Sequence, residues 1–200
     1  MKIDWKKLSP AHWVELSSPV TLGFAGVSLF ALALDWLTGG ASTRVLFSVY
    51  RASPADPLTY VRVFLHVLGH AGFVHYASNM ALLLVLGPLV ERYYGSLQLL
   101  WMMAVTALVT GLAHLLLSPS AVALGASGIV FMLIMLSAIS GRSSGKVPLT
   151  LVLVAMIYLG QELAGGLFQR DNISQLAHVF GGLCGIVLGM ISKGKPEKRA

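Results

Sequence analysis

The sequence predicts an all-α membrane protein: a bundle of six transmembrane helices with a large first external loop and a short fourth span. Three observations predict it. Hydrophobic residues make up 56% of the 200 residues and charged residues only 11%, whereas a soluble domain carries about 25% charged residues. Mean hydropathy is +0.78, too high for a chain that must coat itself with a solvated surface. The basic residues, net charge +6, flank long apolar runs. A nucleic-acid-binding stripe would cluster them on one face, so no nucleic-acid partner is expected.

The elements follow in order. Residues 1–18 are a charged N-terminal segment with Lys2, Lys6 and Lys7, residues 19–191 a single membrane domain, and residues 192–200 a basic tail. Pro19 to Leu37 is the first span. A cleaved signal peptide with a small-residue site at Gly39-Gly40-Ala41 is the competing reading, but the run is long for one. Thr38 to Arg62 is a sizeable loop whose apolar residues, Val45 to Tyr50, place part of it in the interface. A histidine-punctuated stretch, Leu65 to Phe73, leads into a second span that ends near Tyr93. Leu97 to Leu117 is the third, and the Ser118-Pro119-Ser120 turn separates it from a short fourth, Ala126 to Ile139. Val147 to Leu163 is the fifth and Ser174 to Ile191 the sixth. The single cysteine, Cys184, excludes an intramolecular disulfide and reads as a small packing residue.

Six spans put both termini on one side. That side also receives Arg92, Arg142 and Lys146, and so collects ten of the fourteen Lys and Arg residues. The positive-inside rule then places both ends in the cytoplasm.

Polar side chains inside spans are costly and mark function by default. His66, His70, His75, Asn79, Ser127 and His178 stand out. His75 and Asn79 lie in the outer turns of span two, four residues apart and therefore on one helix face. Ser127 opens span four, and His178 lies about one turn into span six. Three helices thus bring polar groups to one depth below the external face. Ser127 sits in Gly125-Ala126-Ser127-Gly128, where small neighbours admit another backbone. After His178 come Gly181, Gly185 and Gly189, a stripe that lets span six pack closely, against span four. His12 and His114 are left outside the site.

A serine hydroxyl becomes a nucleophile when a base takes its proton, and a neutral histidine suits that task. The short fourth span therefore carries the candidate nucleophile. His75, Asn79 and the Ser127 N–H are the donors available to an oxyanion. Asp171 is seven residues from His178, so the pattern reads as a dyad and not a triad. Each member also has a bland reading, as interhelical glue or a packed core histidine. His66, His70 and His75 could instead hold a metal. A small transporter passing protons or metal, and a scaffold that binds membrane helices without cutting them, are the alternative functions.

At these residues the chain resembles the rhomboid family of intramembrane serine proteases. The resemblance rests on His66, His70, His75 and Asn79 in the spacing H-x3-H-x4-H-x3-N, on Gly125-Ala126-Ser127-Gly128, and on Ala177-His178 followed by Gly181 and Gly185. It runs from about span one to span six. It implies Ser127 as nucleophile, His178 as base, and an oxyanion hole of His75, Asn79 and the Ser127 amide. It implies supporting roles for Gly125, Gly128, His70, Arg62 and Phe131, no cofactor and no metal. The family's Trp-Arg pair in the first loop appears here as Val61-Arg62, and its polar ending of span two as Glu91-Arg92 with Gly95. The aromatic that stacks on the base, often tyrosine, is Phe131. The implied substrates are membrane proteins with one transmembrane segment, cut near its outer end. The implied setting is a bilayer, the bacterial inner membrane for so short a chain, with membrane lipids as partners. The loop Ala164 to Ile173, with Gly165 and Gly166, is the expected mobile cap.

Overall fold

A computed structural model describes residues 17–118, 120–140 and 172–194, together with residues 149, 152, 153, 156 and 157. Most of the fifth span, residues 164–171 of the expected cap, His12 and the end of the basic tail lie outside the described residues.

Helix α1 (Pro19–Leu37) starts with proline in its first turn, where a missing N–H costs nothing. Its next two N–H groups are satisfied from the far end of another helix. The Glu91 carboxylate accepts from Val20 N at 3.0 Å, from Thr21 N at 2.9 Å and from the Thr21 hydroxyl at 2.7 Å. A carboxylate at a helix N-terminus meets both the orphan donors and the positive end of the dipole. It also fixes the start of α1 beside the end of α4 (Phe73–Tyr94).

The first loop is more ordered than a plain connection. Gly39 and Gly40, at φ of 57° and 84°, turn the chain into the short α2 (Ala41–Val45). Then α3 (Pro57–Leu65) runs into a 3-10 turn, His66–Leu68. The Asp56 carboxylate caps α3 by accepting from Leu58 N at 3.0 Å, with Pro57 in its first turn. That Asp-Pro pair is a legible helix start.

Helix α5 (Ser96–Leu117) follows α4 after Gly95 alone, whose φ of 96° makes the reversal. Helix α6 (Ser127–Ser140) and helix α7 (Asn172–Ile191) complete the described residues. The ends of the span helices fall within two residues of the expected ones. Among the described residues three helices, α1, α4 and α5, are long and apolar enough to cross a bilayer, and α6 and Leu176–Ile191 of α7 are shorter apolar helices.

The short α6 makes sense from its surroundings. Residues 128–134 are all buried, so it is apolar all round and enclosed by protein. A helix of 14 residues rises about 21 Å at 1.5 Å per residue, less than the roughly 30 Å of hydrocarbon. A span shielded from lipid tolerates that deficit. The outer helices show the reverse pattern: Phe30, Val85, Leu97, Trp101, Val187 and Met190 are exposed. Such a surface is suited to lipid and to no aqueous solvent.

Candidate functional site

Glycine builds the seam between α6 and α7. A Cβ on Gly181 would fall onto the Gly128 carbonyl oxygen, and one on Gly185 would lie 2.5 Å from the Met132 carbonyl oxygen. A Cβ on Gly189 would press into Ile139. The expected stripe therefore packs against the expected partner helix. Gly128 in turn leaves room for the Ala177 carbonyl oxygen, 3.2 Å from where its Cβ would stand. Ser127 and His178 are the immediate chain neighbours of Gly128 and Ala177, so this contact brings their two backbones together. His178 is buried, and its ring stacks on Phe131 with centroids 4.4 Å apart and planes 16° apart. Ser127 is half-buried at the first position of α6.

The loop before Ser127 is held by hydrogen bonds. Val49 of the first loop pairs with Ala123, N to O at 2.8 Å and O to N at 2.9 Å. The Gly125 N–H donates to the His66 carbonyl at 2.9 Å. His114 Nε2 lies 2.9 Å from the Ala121 carbonyl. A histidine in a span is itself a signal, and the role of His114, left outside the site by the sequence, is to anchor this loop. Arg62 works one step further back. Its Nε donates to the Val45 carbonyl at 2.8 Å, its Nη1 meets Asp56 at 3.2 Å, and its guanidinium lies 4.6 Å over the Tyr50 ring. It fixes the first loop next to Val49, and Val61 beside it is exposed.

His75 comes to the same place from α4. An added Cβ on Gly125 would stand 2.8 Å from its Cε1 and 2.9 Å from its Nε2, so only glycine fits there. Gly125 also has a φ of 126°, which an L side chain rarely adopts. The Ala71 N–H donates to His75 Nδ1 at 3.3 Å. With Nδ1 accepting, the neutral ring carries its proton on Nε2, the nitrogen that faces Gly125. Asn79 is buried below and donates from Nδ2 to the His75 carbonyl at 2.9 Å, leaving a second amide proton for another acceptor. His70 sits edge-on to His75 at 5.0 Å and to Tyr76 at 5.5 Å, with Nδ1 3.1 Å from the Leu68 carbonyl. Burial and the neighbouring His75 push the His70 imidazole down to about 4.

The three histidines do not share a centre. His66 places Nδ1 2.9 Å from the Val63 carbonyl and Nε2 3.3 Å from the Thr110 hydroxyl, which turns it away from the His70–His75 pair. Burial pushes its imidazole to about 4. Polar side chains continue inward as Thr110 and Thr106, and both hydroxyls bond to carbonyls of their own helix.

A family model for the Rhomboid domain matches residues 57–194. The chain belongs to the rhomboid family. The match opens on the first residue of α3 and takes in α4 to α7, leaving α1 and α2 outside it, although the sequence resemblance was drawn from about span one. Among curated proteins none matches the chain significantly. Rhomboids are intramembrane serine proteases, and the apolar helices here fit that setting: this rhomboid is an integral membrane protein.

Proposed function

We propose that this rhomboid is a serine endopeptidase that cuts transmembrane protein substrates through a dyad of Ser127 and His178. The observation that carries the proposal is the Gly128–Gly181 contact, which sets Ser127 and His178 on two helices whose backbones touch. The Phe131 ring under His178 supports it by holding the imidazole plane.

In the proposed reaction His178 takes the Ser127 proton as Oγ attacks the scissile carbonyl. The oxyanion forms between the Ser127 N–H, the Nε2–H of His75 and the free amide proton of Asn79. Each such donor is typically worth about 3–4 kcal/mol in the transition state. His178 then gives its proton to the leaving amine, and water hydrolyses the acyl-enzyme by the same route in reverse. Phe131 offers a stacking face and no hydroxyl. The substrate must be unwound at the cut, because a helix ties up its carbonyls in hydrogen bonds.

The same reading takes residues 19–191 as the membrane domain, with 1–18 and 192–200 in the cytoplasm of a bacterial inner membrane and the site opening externally. Neither a metal nor a cofactor enters this chemistry. Purified protein with a panel of single-span substrates tests it. Ser127→Ala and His178→Ala should each lower cleavage by at least about 10³-fold in protein that still unfolds cooperatively on heating. A fluorophosphonate probe should label Ser127 only when His178 is present. Cleavage that survives in Ser127→Ala ends the dyad reading, and binding of substrate without any cleavage by wild type favours a scaffold.

A further inference from the structure

A cleft of about 380 Å³ opens between α1, α5 and the turn His66–Leu68, with Ile129 of α6 in its lining. Its origin is visible in the sequence. On α1 the lining residues Val20, Gly23, Phe24 and Val27 follow i, i+3, i+4, i+7, and on α5 Leu100, Met103, Ala104 and Ala107 do the same. Two such stripes face each other, and Gly23, Ala104 and Ala107 are too small to fill the space between them. Phe64, Val67 and Leu68 close one end, and Ile129 of α6 lies on the floor.

We infer that this cleft binds one acyl chain of a bilayer phospholipid. The lining offers no polar side chain, so a headgroup or a soluble metabolite finds no partner in it. The rim residues Val27, Phe64 and Leu100 are exposed while Val67, Met103 and Ile129 are buried. The cleft is thus continuous with the lipid-facing surface and deepens away from it. The stretch from Val20 to Val27 is about 10 Å long at 1.5 Å per residue, and a polymethylene chain, about 4–5 Å wide at carbon contact distances, fits along it. The chain enters from the leaflet where α1 and α5 begin, and its end meets the His66–Leu68 turn.

That turn also holds the loop before Ser127. The His66 carbonyl holds Gly125 N–H, and Ile129 is two residues past Ser127. An acyl chain in the cleft packs beneath the backbone that carries both. Left empty, the cleft forfeits dispersion contacts along its whole lining. The inference rests on the protein's place in a bilayer and is independent of the protease reading.

The test uses the full chain in nanodiscs of phosphatidylcholine and phosphatidylglycerol doped with a phospholipid that carries a diazirine at its acyl terminus. Wild type should label at Val67, Met103 and Ile129 after irradiation. Gly23→Leu fills the cleft, and a Cβ on Gly23 meets nothing within 4 Å, so the backbone need not move. It should cut labelling at those three residues at least fivefold, with Gly23→Val intermediate. Gly26 is equally open but lies outside the lining, so Gly26→Leu should label like wild type. Labelling at Val187 and Met190, on the outer face of α7, should stay constant and reports an intact fold. Absent labelling at Val67, Met103 and Ile129 in wild type, or equal labelling there in Gly23→Leu, overturns the proposal. Cross-links between two chains at these positions, showing a second copy in the cleft, overturn it too.

Discussion

The two halves of the site are held by opposite kinds of force. The half with Ser127 and His178 is a seam of glycines, where α6 and α7 touch backbone to backbone and little but shape keeps them in register. The half with His75 and Asn79 faces a loop tied by directed hydrogen bonds: Val49 with Ala123, Gly125 with the His66 carbonyl, Ala121 with His114. Inside a bilayer this division is understandable. Between two lipid-embedded helices the hydrophobic effect contributes little, and close packing of small residues supplies the attraction. A re-entrant loop cannot satisfy its own backbone, so it needs donors and acceptors brought from elsewhere. One half should therefore fail when volume is added, and the other when a polar group is removed.

The largest effect is expected at the seam. Gly181→Val places a side chain where the Gly128 carbonyl oxygen stands, and must force α6 and α7 apart. Overpacking costs about 1–3 kcal/mol, or a drop of roughly 2–10 °C in a protein of this size. Cleavage should fall below detection, because a separation of about 1 Å between reacting groups costs on the order of 10²-fold or more. Gly182→Ala, one residue on, meets only Met135 at 3.9 Å and should behave like wild type in both measurements. If both substitutions were equally harmful, α7 would be sensitive to lost flexibility and not to the seam. Next comes the hydrogen-bonded half. His75→Ala removes one oxyanion donor and should lower kcat by about 10²–10³-fold. Its unfolding temperature should stay within about 2 °C of wild type, since the lost side chain is half-buried and the Ala71 amide that donates to it is exposed to solvent. A large loss of stability in His75→Ala would mean that the ring is a strut for Gly125 before it is a donor.

These two halves were not equally legible in the sequence. The seam was, because a glycine at every fourth position after His178 has one simple reading, close approach on one helix face. The pairing of span six with span four follows once Gly128 is seen as its counterpart. His75 and Asn79 were legible for the same reason, a spacing of four on a helix. The loop's anchors were not. The Gly125 N–H and the Val49–Ala123 bridge use main-chain groups that every residue carries, so no residue type announces them. His114 did carry a signal, a histidine inside a span, but its partner is a carbonyl in a loop, which sequence spacing does not locate. Asp56-Pro57 marks the start of α3 in the sequence, but the apolar run before it points to the interface instead. Glu91 was seen as part of a motif, yet its action on Val20 and Thr21 joins residues about seventy positions apart, beyond any local pattern.

The last expected effect is one of pH on the hydrogen-bonded half. That half rests on His66 and His70, whose rings are pushed to about 4 by burial, helped at His70 by His75. An unfolded histidine titrates near 6.5, so between about pH 6.5 and 4 the unfolded chain binds more protons than the folded one at these two positions. The sign follows: stability from these rings is full above pH 6.5, declines as pH falls towards 4, and levels off below it. At pH 5.5 the loss is about 1.4 kcal/mol per ring, on the order of 5–10 °C for the pair in a chain of this length. Hydrogen exchange locates it. The Val49, Ala123 and Gly125 amides should lose protection on going from pH 7.5 to 5.5, after correction for the intrinsic rate, while amides at the centre of α6 keep theirs. His70→Gln, with one titrating ring fewer, should show a shallower decline in unfolding temperature over the same interval. Equal loss of protection at the loop and along α6 would show that the two halves open as one cooperative unit, and that the division drawn from their contacts is not a division in stability.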